Sequence, residues 1–119
     1  MHWLERIDKI NLQLNSLEQG CPAAPRVKIA ILDTGCDLDA SCLLHLGRSD
    51  ARLKNHWYDW SGNSKEPIDQ DPARHGTALV ALLLRVALHA EVFVGRVAKD
   101  ESELGRARAA ENISTVWMP

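Results

Sequence analysis

Apolar residues near the N-terminus recur at alternating steps of four and three, the spacing of a single stripe along a helix. A glycine and two prolines at positions 20, 22 and 25 end the pattern. We predict a helix over 3 to 17 that packs on the rest of the domain or links it to something upstream. Two heptads are too few to indicate a coiled coil, which is the alternative. The stripe consists of Trp3, Ile7, Ile10, Leu14 and Leu17.

Further along, the pattern changes to short apolar runs separated by polar, turn-rich segments. Residues 27 to 32 are apolar apart from Lys28 and lie between a proline and a glycine, which predicts a buried parallel strand. Residues 78 to 88 are apolar on nearly every side, which predicts a core helix. Residues 91 to 97 alternate and predict the next strand.

The remaining segments carry weaker signals. A short strand is expected within 52 to 60, inside a polar stretch rich in turn residues. Asp100 and Glu103 have the spacing of a capping box and predict a helix over 102 to 112. Residues 113 to 119 could begin another strand.

The order strand, loop, buried helix, strand, helix predicts an α/β fold with a parallel sheet. We divide the chain into an N-terminal helix and linker, 1–25, and a domain, 26–119. The 119 residues carry 14 Lys and Arg against 16 Asp and Glu, for a net charge of −2. The basic residues are scattered, which argues against a nucleic-acid partner. No apolar stretch has the form of a secretory signal or a membrane span, so we expect a cytoplasmic protein with no membrane partner; its oligomeric state cannot be predicted.

Cysteine usage fits a reducing compartment. The three cysteines, Cys21, Cys36 and Cys42, are odd in number and are expected to be thiols. Cys36, Cys42 and His45 could be mistaken for a metal site, but no fourth ligand stands at a zinc-type spacing. We therefore predict no metal and no cofactor.

Two short motifs place an ionisable side chain where a predicted buried element meets a loop. Asp-Thr-Gly at 33 to 35 ends the first strand, and His-Gly-Thr at 75 to 77 begins the buried helix. In a parallel sheet, functional groups collect at the carboxyl ends of the strands, so Asp33 is expected to be presented there. The helix dipole would keep His75 neutral unless a carboxylate offsets it. An aspartate that accepts the Nδ1 proton leaves Nε2 free as a general base, so we predict that Asp33 and His75 are neighbours.

These residues resemble a known family. Ile-Leu-Asp-Thr-Gly-Cys-Asp at 31 to 37 is similar to the aspartate motif of the subtilisin-like serine proteases, and His-Gly-Thr-Ala-Leu-Val-Ala at 75 to 81 is similar to their histidine motif. The resemblance covers roughly residues 26 to 112. It implies a subtilisin-like fold and a serine endopeptidase that acts on a peptide or protein substrate. By the same resemblance, Asp33 orients His75, which is general base and then general acid.

Two of the chain's departures from the family pattern bear most directly on activity. Arg74 stands where the family usually has a glycine before the histidine. The family's oxyanion-hole asparagine and nucleophilic serine lie further along than this chain runs. We therefore expect the N-terminal half of a subtilisin-like domain, ended early and inactive alone. No serine of the chain stands in the Gly-Thr-Ser motif of that nucleophile; the serines are Ser16, Ser41, Ser49, Ser61, Ser64, Ser102 and Ser114.

Two alternatives stay open. The chain could be a non-catalytic remnant or interaction module that retains the motif residues without activity. Residues 30 to 35 also resemble the active-site loop of retropepsin-like aspartic proteases, and residues 92 to 96 loosely resemble their second glycine motif. Those folds are almost entirely β, which the predicted helices contradict.

Overall fold

The computed structural model describes residues 2–20, 26–44, 50–53 and 55–117. These residues form a mixed α/β structure with a parallel sheet, as the sequence predicts. In chain order the elements are α1 (Trp3–Gly20), β1 (Lys28–Asp33), a 3₁₀ turn (Ser41–Leu43), β2 (Trp57–Asp59), α2 (His75–Val86), β3 (Glu91–Arg96), α3 (Glu101–Leu104) and α4 (Ala107–Trp117).

The three strands lie in the order β1-β3-β2, and both pairings are parallel. In the register of this sheet, Arg96 of β3 lies opposite Asp33 of β1 on one side and Asp59 of β2 on the other. The carboxyl ends of all three strands therefore lie side by side. The charged groups of the candidate site lie at this carboxyl end of the sheet.

The core lies between α2 and one face of the sheet. Val80 and Leu84 of α2 are fully buried and belong to the same cluster as Val92 and Val94 of β3. Because side chains alternate along a strand, Phe93 and Gly95 belong to the opposite face. That face is lined by aromatic side chains, including Trp60, whose ring lies against Gly95.

The prediction that the first strand is buried is wrong for most of its length. Within β1 only Asp33 is buried, and the other residues are exposed or half-buried. The reason is that β1 is an edge strand in the described sheet, with its only strand partner on one side. The sheet face opposite α2 is also only partly covered.

Both long helices differ from the prediction in which faces they bury. In α2, Leu79 and Leu82 are 39% and 45% exposed, so the helix is not buried on every side. The predicted stripe of α1 is largely exposed at Trp3, Ile10 and Leu14.

Polar groups select the packing face of α1. Asn11 is 4% exposed and donates from Nδ2 to the carbonyl of Val86 at 3.2 Å. Asp8 binds Arg85 of α2 through two hydrogen bonds of 2.6 and 3.0 Å. These contacts turn the stripe away from α2.

The C-terminal segment is more helical than predicted. Asp100 caps α3 by accepting the N–H of Glu103 at 2.9 Å, as predicted. The helix then breaks at Gly105, and α4 continues to Trp117. The expected strand over 113 to 119 is therefore wrong as far as residue 117. None of the helices in the described ranges has the length and apolar character needed to cross a membrane.

Candidate active site

The predicted meeting of Asp33 and His75 is confirmed. Asp33 Oδ1 lies 2.8 Å from His75 Nδ1, although the residues are 42 positions apart in the sequence. Asp33 is the last residue of β1, and His75 is the first residue of α2. The strand end and the helix start therefore bring a carboxylate and an imidazole into one hydrogen bond.

The two side chains differ in exposure, and this corrects the expectation for Asp33. The carboxylate is not presented to solvent: its side chain is 9% exposed, whereas the His75 side chain is 40% exposed. Asp33 Oδ1 also accepts the backbone N–H of Thr34 at 2.7 Å, which fixes the carboxylate. A buried, oriented carboxylate and an accessible imidazole are the arrangement that general-base catalysis requires.

The approach of α2 to the end of β1 depends on glycine. The backbone N–H of Gly76 donates to Thr34 Oγ1 at 2.9 Å. A Cβ atom on Gly76 would lie 2.3 Å from the carbonyl oxygen of Gly35. Gly35 itself has φ of 111°, a conformation that side chains rarely adopt. The glycines of both motifs thus allow the contact that places His75 beside Asp33.

Two carboxylates from the preceding loop hold the start of α2. Asp71 Oδ2 accepts the N–H of His75 at 2.9 Å, and Asp69 Oδ2 accepts the N–H of Thr77 at 3.0 Å. The Thr77 hydroxyl donates to Asp69 at 2.6 Å and accepts the N–H of Asp37 at 2.9 Å. Thr77 therefore joins neighbouring loops.

A buried ion pair lies at the carboxyl end of the same sheet. Arg96 Nη1 donates to Asp59 Oδ2 at 2.9 Å, with side chains 3% and 1% exposed. Arg96 Nη2 donates to Gln70 Oε1 at 2.7 Å. Asp59 also accepts the N–H groups of Ser61 and Gly62, each at 2.9 Å. The strand ends are thus tied to the loop that leads to His75.

Sequence reasoning missed four polar residues that support the site. Asp69 and Asp71 were assigned only to a turn-rich loop, and Asp59 to a short strand. Arg96 carried a usable signal, because a charged residue inside an alternating apolar strand needs a buried partner. The partners could not be identified, since they lie 37 and 26 residues away in the chain.

Nearby carboxylates raise the pKa of His75. The hydrogen bond that the ring donates to Asp33, and then the negative charge of Asp33, raise this pKa above its usual value. Glu101 and Asp71 act in the same direction, and burial opposes them only in part. Asp33 therefore offsets the helix dipole that would otherwise disfavour the charged imidazole.

We predict that His75 makes stability depend on pH. A pKa that is higher in the folded state than the unfolded value of 6.5 adds stability that is complete below that value. This stability is lost as the pH rises through the folded pKa. The wild type should therefore exceed His75→Gln in unfolding free energy by more at about pH 5 than at about pH 9. Chemical denaturation at both pH values measures this difference. The difference in unfolding free energy between Asp33→Asn and the double variant Asp33→Asn, His75→Gln should show little pH dependence.

Arg74 has a strained backbone. Its φ and ψ are 53° and 46°, in the left-handed region, and its side chain gives no cap to α2. The guanidinium donates to the carbonyl of Asp69 and lies 3.7 Å from the carboxylate of Asp37. The position where the resembled family usually has glycine is thus one whose backbone favours glycine.

We expect Arg74→Gly to raise the unfolding free energy by about 1 kcal/mol, because it removes the left-handed strain. The lost Arg74 contacts are half-exposed and offset only part of this gain. Arg74→Ala is the matched control, since it loses the same contacts but keeps the strain. Equal stabilities of the two variants in urea would show that strain at this position is negligible.

Cys36, which lies beside the site, is a poor nucleophile. Burial, followed by the charges of Asp69 and Asp37, raises the pKa of Cys36 to about 12. Cys36 and Cys42 are free thiols, whereas Cys21 and His45 lie outside the described residues. Within the described ranges, no three His, Cys, Asp or Glu side chains are grouped to hold a metal ion.

Comparisons with known proteins do not identify a family. No protein-family model matches the sequence, and no curated protein or solved structure matches it either. The function therefore has to be argued from the motifs and the geometry of Asp33 and His75. The parallel sheet and the helices α1 and α2 disfavour the retropepsin-like alternative, because that fold is almost entirely β.

Proposed function

We propose that this chain contributes the aspartate and histidine of a subtilisin-like serine endopeptidase. The observation that supports this proposal is the 2.8 Å contact between Asp33 Oδ1 and His75 Nδ1. The contact joins the two motifs that resemble the family, at a strand end and a helix start. The proposed substrate is a peptide or protein.

In the proposed mechanism, Asp33 accepts a hydrogen bond from the Nδ1–H of His75 and thereby fixes the tautomer. Nε2 is then the basic atom, and it accepts the proton of an attacking hydroxyl. The resulting imidazolium is stabilised by the carboxylate, which is consistent with the raised pKa of His75. As the hydroxyl oxygen bonds to the substrate carbonyl carbon and the peptide C–N bond breaks, His75 donates this proton to the leaving amine, and an acyl-enzyme ester remains. Nε2 then accepts a proton from the water that attacks this ester, and returns it to the hydroxyl oxygen as the acid product leaves.

The nucleophile is the part of the mechanism for which the described residues offer no candidate. No serine hydroxyl in the described ranges hydrogen-bonds to the His75 ring. Ser61 and Ser102 donate to Asp59 and Asp100, and Ser16 and Ser64 donate to backbone carbonyls. Cys36 is not a substitute, because it is 1% exposed and its raised pKa keeps the thiol protonated at neutral pH. The proposed mechanism therefore needs a serine from outside the described residues.

The decisive experiment compares two products of the same gene. The first is the 119-residue chain. The second is the polypeptide encoded by the transcript, once the transcript has been sequenced past the codon for Pro119. We expect a fluorophosphonate probe to label only a product that contains a Gly-Thr-Ser nucleophile motif. Labelling and peptide hydrolysis by that product should fall by about 10⁶-fold in His75→Ala.

The second candidate function is a non-catalytic module. The absence of a described serine at His75, together with the strained Arg74 backbone, is what favours it. A stop codon directly after Pro119, with no labelling of the 119-residue chain, would support this module and contradict the protease. Labelling of the 119-residue chain that His75→Ala abolishes would instead place a nucleophile within these 119 residues.

A further inference from the structure

Asp71 hydrogen-bonds to the first residues of two helices, through their backbone and not through the His75 ring. Asp71 is 3% exposed. Oδ2 accepts the N–H of His75 and Oδ1 accepts the N–H of Glu101, both at 2.9 Å. Each carboxylate oxygen thus has a partner on a different element, one on α2 and one on α3. These two backbone hydrogen bonds, that of Glu101 first, lower the pKa of Asp71.

Three consecutive N–H groups at the start of α2 are held by three separate side chains. His75 donates to Asp71, Gly76 to Thr34 and Thr77 to Asp69. The first N–H groups of a helix have no partner inside the helix, so such acceptors fix where it begins. Only the acceptor for His75 acts on the residue that carries the imidazole.

The backbone just before His75 is strained. Arg74 is in the left-handed region, which costs free energy for any residue other than glycine. The Arg74 side chain donates a hydrogen bond to the Asp69 carbonyl and does not cap α2. Without the Asp71 carboxylate, the first turn of α2 can relax the strain at Arg74, and His75 moves with it.

We propose that Asp71 is the positioning residue of His75. It holds the His75 backbone where the ring meets Asp33, while its other oxygen binds the N–H of Glu101. The catalytic relevance of this role rests on the proposed function of His75, but the positional effect does not. The role is separate from that of Asp33, which binds the ring itself.

The test follows the Nδ1 proton of His75 by NMR in the 119-residue chain. A proton held between Nδ1 and a carboxylate gives a downfield resonance that exchanges slowly with water, and Asp33→Ala assigns it by abolishing it. We expect Asp71→Ala to lose the resonance. Asp71→Asn, which retains one acceptor oxygen, should keep it with solvent exchange about tenfold faster than in the wild type. This partial rescue would not follow from a general loss of stability.

Asp100→Ala is the matched control. Asp100 also caps α3, by accepting the N–H of Glu103, but it makes no hydrogen bond to α2. This variant should keep the wild-type resonance and exchange rate. The pKa of His75, from its Cε1 proton, should fall in Asp71→Asn; the other charged groups that act on the ring are Asp33 and Glu101.

Wild-type exchange in both Asp71 variants would overturn the positioning role. If Asp71→Ala does not fold, wild-type exchange in Asp71→Asn alone overturns it. A wild type without the downfield resonance would instead contradict the hydrogen bond between Asp33 and His75, and with it the proposed function. If the resonance and the Asp71 effects are observed but the gene encodes no nucleophile, only the proposed protease function is contradicted.

Discussion

Gly76→Ala is expected to destabilise the chain by about 3 kcal/mol and to separate His75 from Asp33. The added Cβ would lie 2.3 Å from the carbonyl oxygen of Gly35 and 2.9 Å from its nitrogen. Both are backbone atoms, so no side-chain rotation relieves the overlap. The start of α2 must therefore move away from the end of β1, and the 2.8 Å contact depends on that approach. Urea unfolding followed by circular dichroism measures the loss.

Gly105→Ala is the matched control, because a Cβ there meets no atom within 4 Å. Its φ of −84° is also open to alanine, so we expect a change within about 0.5 kcal/mol. Equal unfolding free energies for the two alanine variants would mean that the contact between α2 and β1 is loose. Such a result would contradict the close approach that places His75 beside Asp33.

Arg96→Leu is expected to lower the unfolding free energy by about 3–5 kcal/mol. It leaves the Asp59 carboxylate, whose side chain is 1% exposed, without its charged partner. Burial raises the pKa of Asp59, but hydrogen bonds from the Ser64 N–H and Arg96 outweigh this and lower it overall. Because the leucine cannot donate a hydrogen bond, the variant retains the cost of burial and loses part of the compensation. Thermal or urea unfolding near neutral pH measures the effect.

The control for this variant is an ion pair with equally good geometry on the surface. Arg85 lies 2.6 Å from Asp8, with side chains 53% and 39% exposed. Arg85→Leu should cost about 0–1 kcal/mol, because water solvates the remaining carboxylate. Similar losses in Arg96→Leu and Arg85→Leu would show that the buried pair is not the source of the effect. The double variant Asp59→Asn, Arg96→Leu should recover part of the loss.

The parts of the structure that could be predicted are those governed by local patterns. The apolar runs placed β1, α2 and β3 to within a few residues, and the two motifs placed Asp33 and His75 together. The burial of β1 could not be predicted in the same way, because an apolar run looks alike at the edge and in the centre of a sheet.

The face that α1 buries was decided by single polar contacts across the fold. Asn11 reaches the carbonyl at the end of α2, and this hydrogen bond is invisible in a hydrophobic pattern. The carboxylates Asp69 and Asp71 were hidden for the opposite reason. Polar residues in a turn-rich segment usually face water, and only the folded chain shows that these two are 3% exposed. Local pattern therefore predicted the contact between Asp33 and His75 but not the residues that hold the pair.

The strand order also determines when the candidate site can form during synthesis. Among the described elements, β1 pairs with β3 and not with β2, which precedes β3 in the chain. As the chain leaves the ribosome, β1 therefore has no strand partner until residues 91–96 have emerged. Asp33 and His75 are synthesised well before that point, yet the sheet that fixes Asp33 is completed only by β3. The hydrogen bond between them should accordingly be a late product of folding, gained only after β3 has been made.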